Sequence, residues 1–153
     1  MKISGTGSAH PSKVVTNDML TQLFDTSDEW ITTRTGIKER RVISSEYLID
    51  LAVEAARKAL DDAKMNAEDL DFIICSNVVN EYVTPAMSCM IQSAIGAKCP
   101  CMDLNGACVG FIYCLDIAEA YYKIGRVKNV LVVSAEEPSG MLNWHDRTCS
   151  VLF

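Results

Sequence analysis

A continuous apolar run at residues 72–75, Phe-Ile-Ile-Cys, constrains the fold of this chain more than any other feature. A strand with no polar side has no face suited to water, and such strands are typical of parallel sheets that helices cover on both faces. The valine-rich residues 130–133 and residues 99–104 predict two further short strands. Residues 2–7 predict a fourth strand, which ends in glycines.

Segments of helical character separate the predicted strands. Residues 46–64 carry apolar side chains at helical spacing, and residues 87–95 predict a helix that ends at Gly96. Residues 107–118 contain one charged side chain, Asp116, so we expect this helix to be buried on nearly all sides. Strands that alternate with helices predict a layered α/β fold with a mostly parallel sheet and flanking helices.

A shorter helix is predicted after residue 26. Thr26 and Glu29 have the spacing of a capping box, in which the two side chains satisfy free amides of the first helical turn. Gly36 is suited to end this helix, because glycine readily adopts the left-handed conformation that closes many helices.

Length, charge and hydropathy limit the class of protein. The 153 residues suit one domain, and the formal net charge of −6 disfavours nucleic acid as a partner, because phosphate binding needs a surplus of Lys and Arg. No apolar run approaches a membrane span, and no signal peptide is visible, so no membrane partner is predicted. Residues 148–153 predict a buried strand interrupted by the end of the sequence, so we expect a truncated fragment.

The seven cysteines indicate a reducing environment. An odd number of cysteines without an export signal is typical of free thiols in the cytoplasm, and most of them lie in apolar runs as small hydrophobic side chains. Cys99 and Cys101 form a C-x-C pair, but no second pair of ligands at zinc spacing accompanies them. No metal site or bound cofactor is therefore predicted.

Cys108 differs from the other cysteines in its neighbours. The sequence Asp-Leu-Asn-Gly-Ala-Cys-Val-Gly-Phe at residues 103–111 runs from a predicted strand through small residues into a predicted helix, as in a nucleophile elbow. Gly106 would permit unusual backbone angles, and free amides at a helix start favour a thiolate and stabilise an oxyanion. Cys108 is therefore the candidate nucleophile for acyl transfer from a thioester; a buried structural role is the alternative.

A catalytic base for Cys108 is not evident. His10 lies in a turn-like stretch and His145 in a polar loop, so both histidines are predicted to be peripheral. The catalytic constellation is incomplete within these residues.

Three segments together resemble β-ketoacyl-acyl carrier protein synthase III, a thiolase-fold condensing enzyme. They are residues 25–41, the Cys108 motif at residues 103–111, and Asp146-Arg147, and they follow the family's order. The resemblance implies a thiolase-like fold of two similar halves, in which residues 1–153 form the N-terminal half domain, truncated before the C-terminal half. The family's catalytic histidine and asparagine belong to that second half, so the resemblance implies that the fragment alone is inactive.

The resemblance also implies roles for individual residues. Cys108 would accept an acyl group from acyl-coenzyme A, and condensation with malonyl-acyl carrier protein, with loss of carbon dioxide, would start fatty acid synthesis. Trp30 and Arg147 would sandwich the adenine of coenzyme A, and Arg34 and Thr26 would hold the nucleotide end. An indole and a guanidinium both stack on a base. The alternatives are a helix cap for Thr26, a core position for Trp30 and surface positions for both arginines.

Thr84 corresponds to a family position that reaches across a homodimer into the acyl pocket of the partner. A small side chain there would leave room for longer or branched primers. The alternative is a residue that Pro85 merely holds extended.

Two other functional classes stay open. Hydroxymethylglutaryl-coenzyme A synthases and starter-unit ketosynthases share the cysteine chemistry, although the segment with Trp30 and Arg34 favours the fatty acid enzyme. The chain would otherwise be a non-catalytic assembly module with an apolar surface, in which no cysteine reacts faster than the rest.

Overall fold

The computed structural model describes the whole chain, Met1–Phe153, which divides into two compact units. The first unit comprises Met1–Ala9 and Tyr47–Glu136, and the second comprises His10–Glu46 and Glu137–Phe153. In chain order, the strands and α-helices are β1 (Lys13–Thr16), α1 (Asn17–Leu20), α2 (Asp28–Thr35), β2 (Glu39–Val42), α3 (Leu48–Ala63), β3 (Phe72–Ser76), α4 (Met87–Ile95), β4 (Cys101–Leu104), α5 (Gly110–Lys123), β5 (Val130–Ser134) and α6 (Arg147–Ser150).

A parallel three-stranded sheet in the order β4-β3-β5 forms the centre of the first unit. All five residues of β3 are buried, which confirms the prediction from the apolar run at residues 72–75. Alternate side chains of β3 enter two separate cores: Ile73 packs with residues of α3 and α4, and Ile74 with residues of α5. The predicted layered α/β architecture, with a parallel sheet and flanking helices, is therefore confirmed.

The predicted ends of the helices agree well with the structure. Helix α4 occupies residues Met87–Ile95, as predicted, and Gly96 follows it in the left-handed conformation with φ of 82°. Helix α3 lies within the predicted residues 46–64. No helix in the structure has both the length and the apolar composition needed to cross a bilayer.

The prediction that the helix after residue 107 is buried on nearly all sides is wrong. Along α5, only Gly110, Cys114 and Ala118 are buried. These positions are four residues apart, so they form the single stripe that faces the sheet. Large apolar side chains in the first turn of α5 are 42–56% exposed, namely Phe111, Ile112 and Tyr113.

The strand predicted at residues 2–7 is absent. The amide of Thr6 donates to the carboxylate of Asp62 at 2.8 Å instead of to a neighbouring strand. Gly5 lies so close to α3 that a β-carbon there would come within 2.5 Å of the backbone of Ala59 and Ala63. A cavity of about 380 Å³ lies along residues 1–7, with β5 and side chains of α3 and α5 among its other walls.

The second unit contains an antiparallel pair of strands that the sequence did not predict. Strand β1 pairs with β2, in which Arg40 is buried. The guanidinium of Arg40 donates to the side-chain oxygen of Asn17 at 2.9 Å and to the carbonyl oxygens of Val15 and Val151 at 3.3 and 3.2 Å. A strand rich in charged residues gives no apolar pattern, so this pair was not recognisable locally.

Two further predictions for the second unit are wrong. Ser27, rather than Thr26, caps α2: its hydroxyl accepts a hydrogen bond from the amide of Trp30 at 3.1 Å, since the helix begins one residue later than expected. The predicted end of α2 at Gly36 is confirmed, with φ of 75°. The strand predicted at residues 148–153 is absent, because Asp146 caps a short helix there by accepting from the amide of Thr148.

Candidate active site

Cys108 lies in a short 3₁₀ turn, Ala107–Val109, between β4 and α5. The amides of Val109 and Gly110 donate to the carbonyl oxygens of Gly106 and Ala107. The amides of Ala107 and Cys108 have no acceptor within the chain. The thiol of Cys108 is therefore attached to a residue whose own amide remains available to an anionic oxygen.

The strained residue in this turn is Ala107 and not Gly106, contrary to the expectation from sequence. Ala107 has φ of 46°, a left-handed conformation that costs an L-residue of this kind about 1 kcal/mol or more, whereas Gly106 has φ of −132°. Glycine is needed at position 106 for space, because a β-carbon there would lie 2.8 Å from the α-carbon of Gly110. Backbone strain next to a reactive side chain is a frequent feature of functional sites.

Cys108 is the only exposed cysteine of the seven. Burial raises the pKa of the thiols of Cys75, Cys99 and Cys114, which keeps them protonated within the core. The remaining three cysteines are half-buried, namely Cys89, Cys101 and Cys149. Solvent accessibility therefore distinguishes Cys108 from the other six thiols. In the sequence, only the small residues around Cys108 distinguish it.

The start of α5 packs directly against the end of β3. Gly110 is buried, and a β-carbon at this position would overlap the hydroxyl oxygen of Ser76. The absence of a side chain at residue 110 thus lets the helix approach the sheet closely. This contact determines where the turn that carries Cys108 leaves the sheet.

Asp103 connects β4 to the start of α4. Its two carboxylate oxygens accept hydrogen bonds of 2.8 Å from the amides of Met87 and Ser88. The residue at the N-cap position of α4, Ala86, has no side chain able to do this. Sequence reasoning did not identify Asp103; the available signal was a helix without a capping residue together with a carboxylate in an apolar strand.

Thr84 lies in the exposed segment that precedes α4. Contacts at the start of this segment hold it to the residues that follow β5. The side-chain amide of Asn77 donates to the carbonyl of Ala135 at 2.7 Å, and the carboxylate of Glu136 accepts from the amide of Val78 at 3.0 Å. Asp103 holds helix α4, which follows this exposed segment. Thr84 is therefore an exposed residue on a segment anchored at both ends.

Trp30, Arg34 and Arg147 come together in the second unit. The guanidinium carbons of Arg34 and Arg147 lie 4.4 and 4.5 Å from the centroid of the Trp30 ring, within the range of a cation–π interaction. Arg147 also donates to the carbonyl oxygen of Asp25 at 3.1 Å. Two positive charges thus meet at one half-buried indole, an arrangement that suits a phosphorylated aromatic ligand.

Thr26 contributes to the same unit without capping α2. Its hydroxyl oxygen is buried and has no hydrogen-bond partner. His10 and His145 are both exposed, as predicted. The chain contains no group of three or more His, Cys, Asp or Glu side chains placed to hold a metal ion.

Comparison with known proteins gives a consistent result. A family model described as 3-oxoacyl-[acyl-carrier-protein (ACP)] synthase III matches residues 102–153. The β-ketoacyl-[acyl-carrier-protein] synthase III of Clostridium acetobutylicum is 46% identical over 100% of this chain and 47% of its own length. That of Neisseria gonorrhoeae is 48% identical over 99% of this chain and 48% of its own length. The chain spans about half the length of the curated relatives it matches.

Solved structures show the same relationship. The crystal structure of 3-oxoacyl-[acyl-carrier-protein] synthase III from Aquifex aeolicus superposes with a TM-score of 0.97 at 46% identity, over 99% of this chain and 50% of that one. The priming β-ketosynthase of the R1128 polyketide pathway superposes with a TM-score of 0.95 at 34% identity, over 99% of this chain and 46% of that one. The predicted thiolase-like fold is confirmed.

Proposed function

Because the chain belongs to the β-ketoacyl-[acyl-carrier-protein] synthase III family, we propose that it is the acyl-accepting half of a condensing enzyme, with Cys108 as its nucleophile. The observation that carries this proposal is the accessibility of Cys108, which is the one exposed thiol among seven and lies in a strained turn between β4 and α5. The proposed substrate is an acyl-coenzyme A thioester.

The proposed reaction of Cys108 is a transthioesterification. Its thiolate attacks the carbonyl carbon of the thioester, and the negative charge moves to the carbonyl oxygen. The free amide of Cys108 is suited to donate to this oxygen, and collapse of the intermediate expels the thiolate of coenzyme A. One thioester replaces another, so the step needs no oxidant and no metal.

The cluster of Trp30, Arg34 and Arg147 is proposed to bind the nucleotide end of coenzyme A, with Thr26 as a further contact. The two guanidinium groups supply positive charge for phosphate, and the indole supplies a stacking surface for adenine. In the free chain, Arg147 lies 4.5 Å from the ring centroid of Trp30, whereas a base between them would need about twice the ~3.4 Å stacking distance of nucleic acids. Adenine binding by these two residues therefore requires Arg147 to move away from Trp30.

Thr84 is proposed to enter the acyl pocket of the partner in a homodimer and, because it is small, to leave room there for a longer or branched primer. It is small and exposed, which supports a role in which it contacts another molecule. A longer or branched primer is expected to fit better than it would beside a bulky aromatic side chain at this position.

The complete reaction of the parent enzyme is proposed to be a decarboxylative condensation with malonyl-acyl carrier protein in the cytoplasm. The carbanion formed by loss of carbon dioxide attacks the acyl group on Cys108 and gives a β-ketoacyl product. We propose that residues 1–153, as an N-terminal half domain, accept the acyl group on Cys108 but are inactive in the condensation that completes the cycle. Steady turnover to β-ketoacyl product by this chain alone would contradict that assignment.

Acylation of Cys108 is tested by intact-mass analysis after incubation with acetyl-coenzyme A or a branched acyl-coenzyme A. One acyl group is expected on Cys108, and none on the Cys108→Ala variant. Cys149→Ala, which removes a half-buried thiol of the second unit, should be acylated normally. An acyl group on another cysteine would exclude Cys108 as the nucleophile.

Alkylation with iodoacetamide provides an independent test. Cys108 is expected to react before the other six thiols, and acyl-coenzyme A is expected to protect it. Equally slow labelling of all seven would favour a non-catalytic assembly module, for which the exposed apolar side chains of α5, such as Phe111 and Ile112, would be the surface.

A priming ketosynthase is the second candidate, because the R1128 enzyme has nearly the same fold over this chain. The identity to that enzyme is 34%, against 46–48% for the fatty acid synthases named above, so the fatty acid reaction is preferred. Both functions use the same acylated cysteine, and the carrier protein that accepts the product from the parent enzyme distinguishes them.

A further inference from the structure

Cys89 of α4 and Cys101 of β4 are the only two cysteines of the chain whose sulfur atoms are in contact. The thiol of Cys101 donates to the sulfur of Cys89, and the two sulfur atoms are 3.4 Å apart. Both side chains are half-buried, so small solutes can reach the pair. The two residues are 12 positions apart in the sequence and belong to different elements of the first unit.

We propose that Cys89 and Cys101 form a reversible intramolecular disulfide when the protein meets a small-molecule disulfide such as oxidised glutathione. This redox site is separate from Cys108. The contact between the two sulfur atoms distinguishes this pair from the other cysteines of the chain.

The geometry requires only a small movement. A disulfide bond is about 2.05 Å long, so the two sulfur atoms must approach each other by about 1.4 Å. Rotation about the side-chain torsions of a helix residue and a strand residue can supply this approach. The thiol hydrogen of Cys101 already points at the sulfur of Cys89.

The order of the two exchange steps follows from the environment of Cys101. Burial, followed by the hydrogen bond to Cys89, raises the pKa of the Cys101 thiol to about 11, so its thiolate is scarce at neutral pH. Because Cys101 holds its proton in the hydrogen bond to the Cys89 sulfur, we assign the first attack on the glutathione disulfide to Cys89. This step forms a mixed disulfide on Cys89 and releases one glutathione thiolate, which takes up a proton.

The second step is intramolecular. Cys101 loses its proton to water, its thiolate attacks the Cys89 sulfur, and the second glutathione leaves as a thiolate that is protonated. Two protein thiols are oxidised to one disulfide, and one glutathione disulfide is reduced to two glutathione thiols. The contact between the sulfur atoms gives this step a high effective concentration, which offsets the scarcity of the Cys101 thiolate.

The disulfide would add a covalent link beside an existing pair of hydrogen bonds. Asp103, two residues after Cys101, already holds the first turn of α4 by two hydrogen bonds. A bond between Cys89 and Cys101 would keep α4 on β4 even when Asp103 releases it. We therefore expect the oxidised protein to melt several degrees higher than the reduced one, because the link restricts the unfolded chain.

Peptide mapping tests the proposal directly. The reduced protein is incubated with oxidised glutathione, the free thiols are blocked under denaturing conditions, and the protein is digested with trypsin. Cleavage after Lys98 separates the two cysteines, so the disulfide must join the peptide of residues 65–98 to that of residues 99–123. Fragmentation should place the link at Cys89 and Cys101, and dithiothreitol should remove it.

Matched variants show whether the contact is the cause. Cys89→Ser and Cys101→Ser should each abolish the link, and the Cys101→Ser variant should retain one glutathione on Cys89. Cys99→Ser removes a buried thiol two residues from Cys101 and should leave the link intact. A link through Cys99 or Cys108, or no link at all, would overturn the proposal.

A second measurement does not depend on variants. Phenylarsine oxide bridges two neighbouring thiols and binds single thiols weakly. One equivalent should bind the reduced protein and prevent formation of the disulfide without blocking alkylation of Cys108. Failure of the arsenical to bind, or protection of Cys108 by it, would also contradict the proposal.

Discussion

The carboxylate of Asp103 lies 2.8 Å from the amide nitrogen of Ser88, and this pair joins the strand that leads to Cys108 to the helix that follows Thr84. The second oxygen of Asp103 accepts from Met87 at the same distance, so one strand residue satisfies two free amides of α4. A carboxylate at a helix start is also favoured by the helix dipole. The position of α4 therefore depends on β4 and not on a residue of its own cap.

Replacement of this carboxylate should destabilise the protein. Asp103→Asn removes the charge and places an amide group where one oxygen accepted a hydrogen bond, so we expect a loss of about 2 kcal/mol in the free energy of unfolding. Urea denaturation measures this change in the free energy of unfolding. Asp116→Asn on the exposed side of α5 is the matched control and should change stability little. Equal stability of the two variants would contradict the role of Asp103.

The contact between Gly110 and Ser76 predicts a steric effect with a defined rescue. Gly110→Ala should lower the free energy of unfolding by about 1–3 kcal/mol, because the new methyl group overlaps the Ser76 hydroxyl. The double variant Gly110→Ala, Ser76→Ala should recover part of this loss. A double-mutant cycle from thermal or urea unfolding measures the coupling, and additive effects would show that the overlap is not the cause.

The proposed nucleotide site at Trp30 leads to a prediction about binding of coenzyme A. Trp30→Ala and Arg147→Ala should each weaken binding at least tenfold, a cost of about 1.4 kcal/mol, since each removes a stacking partner. Isothermal titration calorimetry measures the affinity. Arg126→Ala is the control, because Arg126 makes a similar contact of 4.9 Å with Tyr121 in the first unit. An equal loss in Arg147→Ala and Arg126→Ala would indicate a general effect of positive charge.

The lowered pKa of the Asp71 carboxyl group predicts that the stability of the protein depends on pH. Its carboxylate accepts hydrogen bonds from the amides of Asn129 and Lys128, at 2.9 and 2.7 Å, which lowers the pKa of the carboxyl group. A lowered folded-state pKa gives stability that is present above the unfolded value of about 4 and is lost as the pH falls through the folded value.

The stability difference between the wild type and Asp71→Asn should therefore be largest near pH 6 and shrink as the pH falls below about 4. Urea unfolding at a series of pH values measures it. Asp61→Asn, an exposed change without side-chain hydrogen bonds, should show no such trend. A difference that is constant with pH would mean that ionisation of Asp71 does not contribute.

Local pattern was sufficient for the elements of the central layer. Helix α4 and strand β3 were predicted from residues that lie within a few positions of one another, because side-chain periodicity and glycine signals act over one or two turns. The same reasoning failed for β2, whose buried Arg40 is stabilised by hydrogen bonds to residues as distant as Val151. It also failed for residues 2–7, where the amide of Thr6 donates to the side chain of Asp62.

Part of the candidate site was likewise predictable from local sequence, and part was not. Cys108 was identified from the small residues around it, and its exposure in the structure supports that choice. The roles of Trp30, Arg34 and Arg147 came from resemblance to a family, since no spacing rule brings residues 30 and 147 together. Their convergence on one ring became visible only in the folded chain.

The sequence alone determined that this protein is a layered α/β chain with a candidate nucleophile between a strand and a helix, because periodicity and glycine placement are local properties. Only the tertiary structure decided that Ala107 carries the strain, that Asp103 caps a helix 15 residues before it, and that Cys89 and Cys101 touch. Those features depend on distances between residues far apart in the chain, which are set by packing of the whole unit and leave no periodic trace in the sequence.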